Sequence, residues 1–233
     1  MKATVIALSA FVLTSVVASA GDETKPAPAA AKAVKLDAKV GMKQHKGPIA
    51  IGDAAPMTDV KMEGVDGKSI SIADVKGEKG TLVIFSCNHC PVAKAYESRI
   101  VEIGNEWKKK GFGVVVINSN DPSTEPVDGL DEMKTRAKDG GYEFPYVVDA
   151  TSDVARAFGA SKTPEVFLFD KELKLAYYGA VDSDQQDAKG ATPYLKNALA
   201  ALADGKKIET PTTKALGCGI KFRAKKTAEK ANG

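Results

Sequence analysis

The sequence predicts an α/β domain, with a central mixed β-sheet flanked by helices and entered through an N-terminal β-hairpin. Three observations predict it. The Asp-Gly turn in Val65-Asp66-Gly67-Lys68 sits between short segments that alternate apolar and polar, a strong hairpin signal. Two apolar runs, Thr81–Phe85 and Gly113–Asn118, read as buried strands, each followed by a helical segment, and the second is apolar on both faces as in a parallel sheet. A second hairpin, over Lys171-Glu172-Leu173-Lys174, precedes a last helix, so parallel and antiparallel neighbours share one sheet.

The 233 residues allow one ordinary domain with tails. The chain is 43% apolar and 27% charged, a globular balance. Its formal net charge of +3 is too small to suggest a nucleic acid or an anionic surface, and no aromatic-studded basic stripe appears.

At the N-terminus, Met1-Lys2 is a short basic start and Ala3 to Val17 an apolar run. Ala18-Ser19-Ala20 gives an A-x-A cleavage pattern before Gly21. The run is shorter than the roughly 20 residues of a spanning helix. Residues 1–20 therefore read as a secretory signal peptide, with no stable membrane insertion after cleavage and a periplasmic or secreted mature chain. Residues 21–46 are rich in Ala, Lys and Pro and lack bulky apolar residues, as in a flexible linker. His45 near its end reads as a solvated tail residue. The folded domain is expected over 47–205, and a C-terminal tail with Cys218 over 206–233.

Within the domain, Asp59–Met62 and Ser69–Ile72 form the predicted hairpin, and residues 73–80 a charged link into the strand Thr81–Phe85. Then comes Cys87-Asn88-His89-Cys90-Pro91, followed by good helix formers to Lys110 and a stop at Gly111. Pro91 suits a first helical turn. Trp107 packs on the sheet in this reading. Ser119–Pro126 is a turn-rich loop at the C-terminal end of the second strand, where ligand crevices of open α/β sheets form. Asp128–Lys138 reads as a helix ended by Gly140-Gly141, Phe144–Asp149 as a strand, and Asp153–Phe158 as a short helix stopped by Gly159. A strand from Lys162 to Asp170 pairs with Leu175–Gly179. The last helix runs from Thr192 to Ala203, with Thr192 as N-cap and Pro193 at N1.

The chemistry lies in Cys87 and Cys90. Two cysteines where a buried strand turns into a helix, in an α/β pattern, favour a redox dithiol. A helix N-terminus favours thiolate over thiol, so Cys87 is expected to be the acidic, attacking sulfur and Cys90 the partner that closes a disulfide. His89, when protonated, can add positive charge near Cys87. The chain has three cysteines, so Cys218 is left over, as a buried residue, a third redox cysteine or a ligand.

Two motifs carry a family resemblance: Phe85-Ser86-Cys87-Asn88-His89-Cys90-Pro91, and Thr163-Pro164-Glu165-Val166-Phe167-Leu168-Phe169-Asp170. With the order of elements from about Ile49 to Ala203, they resemble a thioredoxin fold of the redoxin and peroxiredoxin-like branch. The ending Gly217-Cys218-Gly219-Ile220-Lys221-Phe222 is similar to an exported thioredoxin family. The resemblance implies a cis peptide bond at Pro164, packed against the cysteines. It also implies that Thr163 offers backbone groups to a substrate chain as in strand pairing. The chain departs from the family in three places. Ile84 stands three residues before Cys87, where peroxiredoxins have a Thr, and Thr163-Pro164-Glu165 stands where they place an Arg. The strand Thr81–Phe85 lacks the buried acid of thioredoxins. Glu165 can take over proton transfer to Cys90, or be an exposed strand-start residue.

The expected function is exported thiol–disulfide exchange with protein thiols and disulfides, coupled to an external electron donor or acceptor and needing no cofactor. The position of His89 before the second cysteine points to a potential between about −270 and −120 mV. Two other readings stand beside it. Cys87, Cys90, His89 and Cys218 can together hold Cu(I) or zinc. A thiol-dependent peroxidase would use Cys87 or Cys90.

Overall fold

The computed structural model describes residues 47–225. The expected signal peptide, the linker with His45, and the last residues, 226–233, lie outside them.

Seven strands form one mixed sheet. The hairpin β1 (Met62–Gly64) and β2 (Ser69–Ile70) pairs Met62 with Ile70 across the Asp-Gly turn, where Gly67 takes φ 77°. Beside it lie β5 (Tyr146–Val148), β4 (Phe112–Asn118) and β3 (Gly80–Phe85), then β7 (Glu165–Phe169) and β8 (Leu175–Gly179). β3, β4 and β5 are parallel, and both hairpins are antiparallel, giving the mixed sheet expected.

Strand alternation sends side chains to two cores. Leu82 and Ile84 of β3 face α1 (Pro91–Lys109), α2 (Leu130–Gly140) and α4 (Tyr194–Ala203). Val83 and Phe85 face α3 (Asp153–Phe158). There Phe85, Phe158 and Phe167 meet edge to face at centroid distances of 5.2 to 5.6 Å. Each such pair adds about 1 kcal/mol beyond area burial. This cluster anchors the end of β3, two residues before Cys87. On the other face, Trp107 is buried against Phe112, as the sequence suggests.

Several boundaries differ from the sequence reading. The link after the hairpin contains a 3-10 turn, Ala73–Val75, and Gly80 already belongs to β3. α2 starts at Leu130, not Asp128, because Pro126–Asp128 is a 3-10 turn whose Asp128 carboxylate is used elsewhere. α4 starts at Tyr194, with Pro193 rather than Thr192 at its N-cap. The Asn197 N–H donates to the Pro193 carbonyl at 2.9 Å, while the Thr192 carbonyl accepts from Ser183 and Tyr194. The strand expected from Lys162 is split by a cis Thr163–Pro164 bond into β6 (Lys162–Thr163) and β7. α3 and its stop at Gly159, φ 67°, stand where the sequence puts them. After α4 the chain returns along the domain, and β9 (Cys218–Gly219) pairs antiparallel with β6. No helix of the described residues is long and apolar enough to cross a membrane.

Candidate active site

Cys87 follows β3 in the sharp turn Ser86–His89, and Cys90 is the N-cap of α1, with Pro91 in the first turn as expected. Both sulfurs are buried, Cys87 at 3% exposure and Cys90 at 0%. Thr163, just before the cis bond, serves both. Its Oγ1 lies 3.1 Å from Cys87 Sγ, and its carbonyl oxygen accepts from Cys90 Sγ at 3.2 Å. The packing of Thr163-Pro164 against the cysteines that the resemblance implies is therefore present.

The two thiols shift each other's titration, each being the largest influence on its partner. Cys87 is pushed above the ordinary thiol range by Cys90, by burial, and by the nearby Asp128 carboxylate. Cys90 is held below that range, chiefly by the Cys87 thiol, then by Cys218 and the backbone N–H of Ala93 at the helix start. These directions put the lower pKa on Cys90, the N-cap of α1, whereas the sequence points to Cys87 as the acidic sulfur.

His89 gains a partner the sequence does not single out: its Nδ1 lies 2.7 Å from Asp128 Oδ2, and both residues bring a donor atom within 4.8 Å of Cys87 Sγ. Asp128 is 1% exposed and fully partnered. Its Oδ1 accepts the N–H of Asn88 at 2.5 Å and of His89 at 3.2 Å, and Asn120 Nδ2 donates to Oδ2 at 2.8 Å. A buried carboxylate needs this many donors. Tyr146 Oη, at the floor, bonds Asn88 Oδ1 at 3.0 Å, and Asn88 Nδ2 donates to the Val127 carbonyl at 2.8 Å. The turn between the cysteines is thus clamped to the loop after β4.

Glu165 is neither exposed nor bonded to a sulfur. It is 0% exposed, its Oε2 accepts the N–H of Ser161 at 2.6 Å and of Lys162 at 2.9 Å, and Tyr178 donates to Oε1. These bonds brace the approach to Thr163. Cys218 does reach the site: β9 sets it opposite Thr163, and it packs on Cys87, Cys90 and Ala93. Of the proposed ligand set, Cys87 and His89 come together with Asp128, their donor atoms within 4.8 Å of one another. Cys90 and Cys218 do not join that group among the described residues.

Asp128, Asn120, Asn88 and Tyr146 escaped sequence reasoning. The loop after β4 is marked as crevice-lining by its position. Within it, nothing distinguishes a buried Asp128 from a helix-starting one. Tyr146 lies in an apolar strand, where only its hydroxyl hints at a partner.

Comparison with known proteins agrees with this architecture. The crystal structure of an uncharacterized conserved protein from Geobacillus kaustophilus is 36% identical, with a TM-score of 0.70 over 75% of this chain and 93% of that one. The solution structure of a thioredoxin-like protein in the oxidized form is 20% identical with a TM-score of 0.53, over 66% of this chain and 97% of that one, and shares the fold. The thiol-disulfide oxidoreductase ResA of Halalkalibacterium halodurans is 24% identical over 110 residues, 47% of this chain and 58% of the relative, so the match spans little more than half of that relative's length. The AhpC/TSA family model matches residues 51–178, from the hairpin through the cysteine pair and the cis-proline to β8. That is more than half of the sequence, and the chain belongs to the AhpC/TSA family.

Proposed function

We propose that the protein is an exported thiol–disulfide oxidoreductase that exchanges its Cys87–Cys90 dithiol with the disulfides of protein substrates. One observation carries the reading: Thr163, before the cis-proline, contacts both sulfurs at 3.1 and 3.2 Å. The similarity to a relative named thiol-disulfide oxidoreductase, 24% identical over 47% of this chain, supports the same chemistry.

Thr163 suits both protonation states of the pair. A proton passing from Cys87 to Cys90 leaves a Cys87 thiolate that accepts from the Thr163 hydroxyl. The new Cys90 S–H donates to the Thr163 carbonyl. The Cys87 thiolate attacks a substrate disulfide, and one substrate sulfur departs as thiolate, taking the proton from Cys90. Cys90 then attacks Cys87 Sγ, the mixed disulfide breaks, and the second substrate thiolate leaves. An external dithiol resets the pair. The asparagines and Asp128 fix the turn that carries Cys87, so the sulfurs stay in reach of each other.

The test is turnover of a protein disulfide with a thiol donor. Cys87→Ser is expected to abolish turnover, and Cys90→Ser to accumulate mixed disulfides on Cys87. Full turnover by Cys87→Ser overturns the reading. Export is tested separately: the mature chain isolated outside the cytoplasm is expected to begin at Gly21, and an intact Met1 there would reject cleavage.

A further inference from the structure

We propose that Cys218 is a third redox cysteine, seated by β9 where a substrate cysteine would pair with Thr163, and that it exchanges with the Cys87–Cys90 disulfide through Cys90. The inference rests on the oxidoreductase reading above and adds a residue and a step to it.

β9 pairs Cys218 with Thr163 and Gly219 with Lys162, antiparallel, so the chain's own segment occupies the strand position beside the cis-proline. Strand addition of this kind supplies main-chain bonds while the side chains decide specificity. The side chain delivered here is a thiol. Cys218 packs against Cys87, Cys90 and Ala93. Cys218 is among the groups that hold the Cys90 thiol below the ordinary range, while burial and Cys90 raise Cys218 in turn.

The seat is built. A Cβ on Gly217 would lie 2.2 Å from the Thr163 carbonyl oxygen, so only glycine lets the segment come this close. Beyond Cys218, the Ile220 N–H donates to the Ser161 carbonyl at 3.0 Å and the Lys221 N–H to Asn120 Oδ1 at 2.7 Å. The Asp121 N–H donates to the Lys221 carbonyl at 2.7 Å, and Arg223 Nη1 to the Asp149 carbonyl at 2.6 Å. Asn120 therefore holds both the Asp128 clamp and this segment.

Exposure gives the arrangement a use. Cys87 and Cys90 are buried, whereas Cys218 is half-buried, nearer to an external donor. With the pair oxidised, the Cys218 thiolate attacks Cys90 Sγ. A Cys90–Cys218 bond forms, the Cys87–Cys90 bond breaks, and Cys87 leaves as a thiolate that takes up the proton Cys218 released. One disulfide and one thiol exist before and after, so the step needs no oxidant. A donor dithiol then attacks Cys218 Sγ and Cys90 leaves as thiolate; the donor's second thiol attacks the donor–Cys218 bond, closing the donor disulfide and releasing Cys218 as thiolate, which with Cys90 takes up the donor's two protons. Substrate and β9 take turns on Thr163.

The test is oxidation of the folded full chain with glutathione disulfide, alkylation of remaining thiols, and mass mapping of linked peptides. Cys87→Ser is expected to form the Cys90–Cys218 bridge in most molecules. Wild type is expected to hold it alongside Cys87–Cys90. Gly217→Ala, with all three cysteines kept, is expected to lower the bridged share at least about fivefold, because the added methyl pushes β9 off Thr163. A folded Cys87→Ser chain whose Cys90 and Cys218 both remain alkylated or only glutathionylated overturns the inference. If wild type forms Cys87–Cys90 and turns over protein disulfides in that case, the oxidoreductase reading survives alone. If wild type exchanges with no disulfide, both fall.

Discussion

Asp128 Oδ2 lies 2.7 Å from His89 Nδ1, and the donor atoms of these two residues and of Cys87 lie within 4.8 Å of one another. The same carboxylate raises Cys87 while its other oxygen holds the turn between the cysteines. The informative variant is Asp128→Asn, which removes the charge and keeps the size. The amide oxygen can still accept from Asn88 and His89, but its NH2 cannot accept from Asn120, leaving one buried donor unpaired. A loss of about 1–3 kcal/mol in urea unfolding is expected. In a Cys90→Ser background, the pH midpoint of Cys87 alkylation is expected to move down, since a repelling charge has gone. An unmoved or raised midpoint would show that Asp128 does not act on that sulfur.

Much of this arrangement is legible in the sequence because local chemistry dictates it. Asp66-Gly67 fixes the hairpin, Pro91 the helix start and Gly159 the end of α3. The motif around Thr163-Pro164 identifies the cis bond through resemblance. What escapes is set by tertiary partners. Asp128 looks like any first-turn acid until Asn88 and Asn120 close on it. Which cysteine caps α1 depends on how tightly the chain turns after β3, and here the cap is Cys90, three residues beyond Cys87. The pairing of Cys218 with Thr163 joins residues far apart in the chain, across a segment with no periodic signal.

Glu165 separates a bracing role from a proton-transfer role. Its Oε2 receives the N–H groups of Ser161 and Lys162, and Tyr178 donates to Oε1. Glu165→Gln can keep the first two bonds with its carbonyl and offer its NH2 to the Tyr178 oxygen, so a change below about 1 kcal/mol is expected. Glu165→Ala strands three donors in a buried site and is expected to cost about 3 kcal/mol. The pH profile of Cys90 alkylation should be the same in wild type and Glu165→Gln. A shifted profile at unchanged stability would restore the carboxylate as a proton carrier.

Gly104 in α1 sets packing against propensity. Alanine in a helix interior normally gains about 1 kcal/mol over glycine. Here a Cβ would lie 2.3 Å from the Phe144 ring, between α1 and the strand that follows α2. Overpacking of that kind costs about 1–3 kcal/mol, so Gly104→Ala is expected to lower stability on balance. Adding Phe144→Leu should recover part of the loss, read as a non-additive double-mutant cycle in urea unfolding. A stabilised single variant would mean that the ring moves aside at no cost.

The coupled thiols predict how the reduced chain responds to pH. Cys90 is held below the ordinary thiol range in the folded state, while an unfolded thiol titrates near about 8.5. Between those two values the unfolded chain carries a proton that the folded chain has released. Stability from Cys90 therefore rises with pH through that interval, and is lost as pH falls through the folded pKa. Cys87 acts in the opposite sense, because its folded pKa is raised. Above about 8.5 the unfolded chain has given up a proton that folded Cys87 keeps, so stability falls as pH rises further. The reduced protein is expected to draw its largest benefit from the pair near the ordinary thiol pKa. Urea unfolding across this range, compared with a Cys87→Ala/Cys90→Ala double variant, isolates the pair from other titrating groups. A difference curve that climbs to that point and then declines supports opposite shifts at the two sulfurs. A flat curve would mean that neither sulfur is perturbed, and the closed geometry around Thr163 would then have no bearing on thiol reactivity.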